Sequence, residues 1–585
     1  MAQRDDLVIR VAGEAGEGVL STGQLITLAA ARAGYGVLTD SVPPSEIKGG
    51  HSLFQIRLSS HRLHSRGDVV DILLAFNQEG FDKNIKELRE GGLLLYDSGE
   101  LTPPENPGRY QQHALPLTDI AKKEIQFELG KNVVAVGAVA ALFGLDPEHV
   151  KQLLHQRFAR KGQEILDKNL KALEAGIGYV ERNIPERGAL QVRPAAPDGQ
   201  ARIVVSGNQA IAMGSFAAGV RIYAGYPITP ATDIMEFLAT ELPKVGGAVV
   251  QAEDEMSAIG MVIGASYAGR RAMTASSGPG ISLMVELLGL AAMAEIPLVV
   301  VDAQRAGPST GMPTRQEQGD LFLATTGGHG EIQRIVLAPT SVSDCFTQAI
   351  NAFNLAEQFQ MPVILLSDTI LGVRNESIPR PDASKLELTD RERYAGNGHE
   401  GPGIESGYRR YQLTESGISP MAIPGTEGGQ YVATGLEHNE VGRPRTDPNN
   451  HIEMTKKRFH KLELARQAAP PPHLHGDQDA EIGILCWGST WGVVIEAVDQ
   501  ARQRGLKVAA LAPRMLWPLP DQQLEPFLAS KRVVLVPETN YSGQFAQLVR
   551  ARYLRDVRPV TDFSGGAFTV ARILKEIEGV YQHVS

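Results

Sequence analysis

Four short apolar runs constrain the fold of this chain more than any other feature. They are GAVVQA (247–252), RAMTAS (271–276), IPLVVVDA (296–303) and PVILLSD (362–368). Each is bounded by Gly, Pro, Ser or charged residues, and helical patterns lie between them. Near-continuous apolarity means that both faces of each strand are covered. Strands that alternate with helices predict a parallel sheet enclosed by helices on both sides. Ligands of such sheets gather at the carboxyl ends of the strands, so chemistry is expected in the loops that follow these runs.

The same alternation recurs on either side. The chain has 585 residues, which at roughly 150 residues per domain makes three or four domains. The fold class is α/β, with three α/β domains. Residues 1–185 form the first, 186–200 a linker, 201–378 the domain of the four runs, and 476–585 the last. Between them, 379–475 is rich in Gly, Pro, Arg, Glu and His, with little apolar periodicity. A stretch that long and irregular is usually functional or an interface. Near its end, HIEMTKKRFHKLELARQ (451–467) reads as an exposed charged helix.

Charge and cysteine content narrow the function. A net charge of −10 gives no electrostatic reason to expect nucleic acid. The N-terminal MAQRDDLVIRVAG has neither a signal-peptide layout nor a spanning segment, so a cytoplasmic, membrane-free protein is expected. Two cysteines, Cys345 and Cys486, cannot supply the four thiolates of an iron–sulfur cluster or a structural zinc site. No metal site is expected here, and any cluster that the protein uses belongs to another chain.

The first glycine loop, VAGEAGEGVLSTG (11–23), places Gly13, Gly16 and Gly18 between a strand and a helix. Asp40 closes the next strand. This imitates a dinucleotide fingerprint, but the spacing is G-x-x-G-x-G, not G-x-G-x-x-G. Glu14 and Glu17 would also oppose a pyrophosphate at the helix N-terminus. Tight turning and helix–strand packing explain the glycines better than a dinucleotide does, and another nucleotide-bearing ligand or a partner surface is the alternative. A second loop, PPSEIKGGHS (43–52), offers Lys48 and His51 to a phosphate.

The central loops carry more. GYPITPATDIMEF (225–237) brackets Ile228 and Thr229 with two prolines. Thr229 followed by Pro230 predicts a hydroxyl N-cap with proline at the first helical position. VVQAEDEMSAIGMVIGASYAG (249–269) places Glu253, Asp254 and Glu255 at a helix start, followed by a face of small residues. TASSGPGISLM (274–284) puts Ser276, Ser277, Gly278 and Gly280 ahead of another helix. AQRAGPSTGMPTRQEQGDL (303–321) carries Arg305, Thr314 and Arg315 after a strand. Arginine binds carboxylates bidentately, which suits an acid substrate.

These four segments, in this order and spacing, resemble the alpha subunit of 2-oxoacid:ferredoxin oxidoreductases. The N-terminal GEAGEGVLSTGQLITLAAARAGY and KGGHS resemble that family's gamma subunit, fused in front of alpha. The C-terminal domain is similar to its transketolase C-terminal-like domain. The resemblance implies a subunit that converts 2-oxoglutarate and coenzyme A to succinyl-CoA, carbon dioxide and reduced ferredoxin, reversibly as in a reductive TCA cycle. Pyruvate or a range of 2-oxoacids is the alternative. A non-catalytic nucleotide-binding protein built on the first glycine loop is a more distant one.

The resemblance also implies site residues. The domain of the four runs would bind the pyrimidine of thiamine diphosphate through Tyr226, Pro227, Ile228, Thr229, Pro230, Ser277 and Gly278. Glu255 matches the glutamate that faces the aminopyrimidine ring and favours its imino tautomer. Arg315 matches the arginine that holds the substrate carboxylate, with Thr314 beside it and Thr229 positioning substrate or cofactor. Gly16, Gly18 and Lys48 would meet coenzyme A, although the family's Arg-Gly-Gly stands here as Lys48-Gly49-Gly50. The family's magnesium–diphosphate motif begins Gly-Asp-Gly, which this chain lacks. Diphosphate, Mg²⁺ and a [4Fe–4S] cluster are therefore expected on a separate beta subunit, in a dimer of heterodimers served by ferredoxin.

Overall fold

The structure is a computed structural model that describes residues 5–42, 50–105, 108–184, 192, 199–396 and 407–584. The chain divides into two compact units: residues 1–205 with 373–380, and residues 206–372 with 381–585.

The first unit is built on an eight-stranded sheet. Its spatial order is Gln111–Leu115, Leu88–Asp97, Val70–Ala75, Asp6–Glu14, His51–Ser59, Gly36–Val42, Asn375–Pro379 and Arg202–Ser206. Asp6–Glu14 runs parallel to Val70–Ala75 and antiparallel to His51–Ser59, so the sheet is mixed. The helix Lys131–Phe143 packs on Gln163–Asn183 through two reciprocal glycines. A Cβ on Gly137 would lie 2.2 Å from the Leu173 carbonyl oxygen, and one on Gly176 would lie 2.1 Å from that of Val134. Only a bare backbone at both positions permits so close a crossing.

In the second unit the four runs are adjacent or nearly so. A seven-stranded sheet has the order Met515–Trp517, Ile335–Leu337, Pro362–Asp368, Leu298–Gln304, Ala272–Ser276, Ile222–Gly225 and Ala248–Gln251. Six strands are parallel, and only Met515–Trp517 is antiparallel at its edge. Val299, Val300 and Val301 are all buried, as a doubly covered strand requires. The chain after residue 472 adds a five-stranded sheet in which Val508–Ala512, Ile482–Leu485, Val533–Glu538 and Arg558–Thr561 are parallel, and His473–Gly476 is antiparallel at the edge.

The irregular connector is held to this unit by buried ion pairs. Arg391 forks onto Glu357 with two bonds of 2.6 Å. The helix Pro448–Gln467 differs from the exposed charged helix expected there: Lys457, Arg458 and Lys461 are buried. The reason is Glu295, itself buried, which both lysines contact at 2.7–2.8 Å. A buried carboxylate without a counter-charge is strongly unfavourable, so cations that the sequence pattern assigns to solvent are drawn inward. Burial alone would push the Glu295 pKa up, but Lys457, Lys461 and Arg410 hold it well below the usual carboxylate range. Among the described residues no helix is long and apolar enough to cross a membrane.

Candidate active site

The loops at the carboxyl ends of the central strands converge. Asp254 caps the helix Glu255–Tyr267, its side chain accepting a bond from the Ser257 N–H at 2.7 Å. This cap leaves Glu255 at the first helical position, where it is only 7% exposed. Among the described residues nothing hydrogen-bonds its carboxylate. That carboxylate lies over Gly280: a Cβ there would be 2.6 Å from Glu255 Oε1 and 2.1 Å from Ser276 Oγ. The Ser276 hydroxyl beside it is buried and, like that of Ser277 next in the chain, has no partner among the described residues. A carboxylate and a hydroxyl, both without partners among the described residues, make a polar cradle that a ligand can satisfy.

Gly280 is therefore a test point. Gly280→Ala forces Ser276 or Glu255 to move, and a shift of about 1 Å at a reacting group costs about 10²-fold in rate. A corresponding loss of turnover, with the melting temperature lowered by only a few degrees, is the expected result. Unchanged turnover would mean that the Glu255 position is not critical.

The proline-flanked turn takes a different form from a capped helix start. The Thr229–Pro230 peptide is cis, and the helix begins at Thr232 with Ala231 as its cap. Two side chains clamp the turn. Asn208 Nδ2 donates to the Pro230 carbonyl at 2.7 Å, and Arg305 Nη1 donates to the Thr229 carbonyl at 2.9 Å. Tyr226 and Thr229 are left exposed, and Pro227 and Ile228 partly so.

The two arginines part company. Arg305 is buried (8% exposed), and its Nε has no partner among the described residues. Burial lowers its pKa, against the pull of Asp320. Arg315 is exposed later in the same loop, with Thr314 half-buried beside it. The Arg315 side chain lies against Gly565, and Gln316 N–H donates to the Gly565 carbonyl at 3.1 Å. Gln318 also bonds Trp487 and Thr539, so the loop is fastened to the C-terminal sheet. Sequence reasoning missed Asn208, Asp302 and Asp320. The one signal available for Asp302 was an acid closing the run LVVVD.

In the first unit, Gly16 (φ +97°) and Gly18 (φ +85°) adopt the left-handed backbone that glycine permits. Both line a cavity of about 640 Å³, together with Lys122, Lys161 and Phe158. Glu17 lines the same cavity, and its carboxylate accepts bonds from the Glu14 N–H and Asn77 Nδ2, both at 2.8 Å. Lys48 lies outside the described residues.

Three family profiles match the chain. Residues 8–179 match the pyruvate ferredoxin/flavodoxin oxidoreductase domain. Residues 213–457 match the thiamine diphosphate-binding domain of pyruvate flavodoxin/ferredoxin oxidoreductase. Residues 480–579 match core domain II of pyruvate:ferredoxin oxidoreductase. The 2-oxoglutarate oxidoreductase subunit KorA of Mycobacterium tuberculosis is 35% identical over 97% of this chain and 90% of its own length. The alpha subunit of 2-oxoacid:ferredoxin oxidoreductase 2 of Aeropyrum pernix is 33% identical over 93% of each chain. Among solved structures, the 2-oxoglutarate:ferredoxin oxidoreductase of Magnetococcus marinus, with 2-oxoglutarate, coenzyme A and succinyl-CoA bound, is 42% identical with a TM-score of 0.93. That match covers 99% of this chain and 100% of the other.

Proposed function

The chain belongs to the alpha subunits of the 2-oxoacid:ferredoxin oxidoreductases, and on that premise we propose that it serves the thiamine-dependent, CoA-acylating oxidation of 2-oxoglutarate to succinyl-CoA. The observation that carries the chemistry is the Glu255 carboxylate, buried and without a protein partner over the Ser276–Gly280 loop. The choice of 2-oxoglutarate is supported by the whole-chain likeness to the Magnetococcus marinus enzyme.

The cradle fits the pyrimidine end of thiamine diphosphate, whose ylid supplies the decarboxylation chemistry when it is bound. Glu255 would share a proton with the ring nitrogen in a water-poor setting, which favours the imino tautomer. Ser277, Gly278 and the turn from Tyr226 to Pro230 would hold the ring. Arg305 takes the substrate's 1-carboxylate, while Arg315 and Thr314 guide it from the rim. Clamping by Asn208 and Arg305 fixes Thr229 where the substrate arrives.

Coenzyme A is assigned to the cavity at Gly16 and Gly18, where Lys161 suits a phosphate and Phe158 a base, although Glu17, Glu100 and Glu128 also line it and Lys122 is paired with Glu128. Mg²⁺, the diphosphate site and a [4Fe–4S] cluster belong to a separate beta subunit that passes electrons to ferredoxin, in a dimer of heterodimers. Two buried cysteines with no disulfide among the described residues are in keeping with a cytoplasmic location. The test is co-purification with the beta partner and viologen reduction with 2-oxoglutarate or pyruvate, with and without coenzyme A. CoA-dependent reduction is expected with 2-oxoglutarate and little with pyruvate. Preference for pyruvate would overturn the substrate assignment.

A further inference from the structure

One pair of acids beside this site is left without a task. Asp302 closes the strand Leu298–Gln304 and is fully buried, with neither carboxyl oxygen hydrogen-bonded among the described residues. Asp320 stands immediately before the helix Leu321–Thr326, and its Oδ2 is likewise buried and unpartnered. The Asp320 N–H donates to Gln304 Oε1 at 3.1 Å, which ties it to the end of the Asp302 strand. Its carboxyl lies against the start of the helix Gly278–Met293, where a Cβ on Gly278 would be 2.7 Å from Oδ2. Ser276 is in register with Asp302 on the neighbouring strand and keeps a buried, unpartnered hydroxyl.

Such a pair cannot carry two charges at little cost. A carboxylate with no donor in a dry setting is unstable, and two that share one setting retain a proton between them. Burial pushes Asp302 well above the carboxylate range, and Asp320 raises it further. Burial and Glu317 push Asp320 up to about 6, against the pull of Arg305. Glu317 and Arg305 are the charged groups that act on Asp320, and Asp320 is the one that acts on Asp302.

We propose that Asp302 holds a proton for Asp320 as a positioning pair, so that one charge, not two, faces the Arg305 guanidinium and leaves it able to take an incoming 2-oxoacid carboxylate. This rests on the carboxylate role proposed above for Arg305. When Asp302 loses its proton at higher pH, the second charge competes with the substrate, and the KM for the 2-oxoacid rises.

The test uses the two-chain enzyme, wild type against Asp302→Asn, which keeps a neutral donor. Difference infrared spectra at neutral pH are expected to show a protonated-carboxyl band in the wild type only. The KM for 2-oxoglutarate should climb with alkaline pH in the wild type, by up to about tenfold per pH unit, and stay flat in the variant with kcat retained. No such band would overturn the shared proton. A band with identical pH profiles in both proteins would overturn the positioning role. The infrared result stands even if 2-oxoglutarate is not the substrate, so failure of the proposed function is distinguishable. Thermal unfolding gives a third reading. A raised acid contributes stability that is lost as pH rises through its folded pKa, so the wild type should lose stability toward pH 8 more steeply than Asp302→Asn. Equal slopes would also overturn the shared proton.

Discussion

Glu255→Gln is expected to lower turnover of the assembled two-chain enzyme by about 10²–10⁴-fold, the usual contribution of a positioned acid–base group. Glutamine keeps the shape of the side chain over Gly280 but cannot exchange a proton with the ring nitrogen. The helix cap should persist, because Asp254 supplies it independently of Glu255. Assembly with the beta partner, followed by size-exclusion chromatography, should therefore be unchanged while steady-state viologen reduction collapses. Thiamine diphosphate affinity should fall much less than turnover. An assembled variant with normal turnover would remove Glu255 from the chemistry.

Arg305→Ala should raise the KM for 2-oxoglutarate by about 10- to 10²-fold, the loss of a charge-assisted contact of roughly 1.5–3 kcal/mol. Part of that loss comes from the turn, because the Thr229 carbonyl loses its donor as well. Arg305→Lys should recover only a fraction, since an ammonium cannot match the planar fork. Arg315→Ala is expected to weaken 2-oxoacid use by a smaller factor, because its side chain is exposed and screened. Side-by-side titrations of 2-oxoglutarate and coenzyme A decide the matter. A larger KM effect at Arg315 would exchange the two roles, and an effect confined to coenzyme A would remove both from the carboxylate.

Local pattern and long-range packing explain what the sequence could and could not reveal. The strands of the central sheet were legible because runs such as IPLVVVDA are apolar on both faces, and that holds before any tertiary structure is known. The Glu255 junction was legible too, since Asp254 and Glu255 obey helix-start chemistry that is local. The turn at Thr229 was not, because its geometry depends on Asn208, 22 residues upstream, and Arg305, 76 residues downstream. Arg305 and Arg315 look alike as letters in one loop, and burial alone separates them. The same holds for Lys457 and Lys461: their place inside the protein follows from Glu295, more than 160 positions away.

The strand Asn375–Pro379 has a consequence for how the protein is made. Among the described residues it is the strand through which Arg202–Ser206 joins the first sheet, and it also covers the edge of Gly36–Val42. Domains generally fold in the order in which the ribosome delivers them. Here the N-terminal sheet lacks its last two strands until residue 379 has emerged. By then every parallel strand of the second unit's seven-stranded sheet has already been synthesised. A nascent chain of intermediate length carries an open sheet edge of the kind that recruits other chains, so chaperone demand should peak before translation passes residue 380.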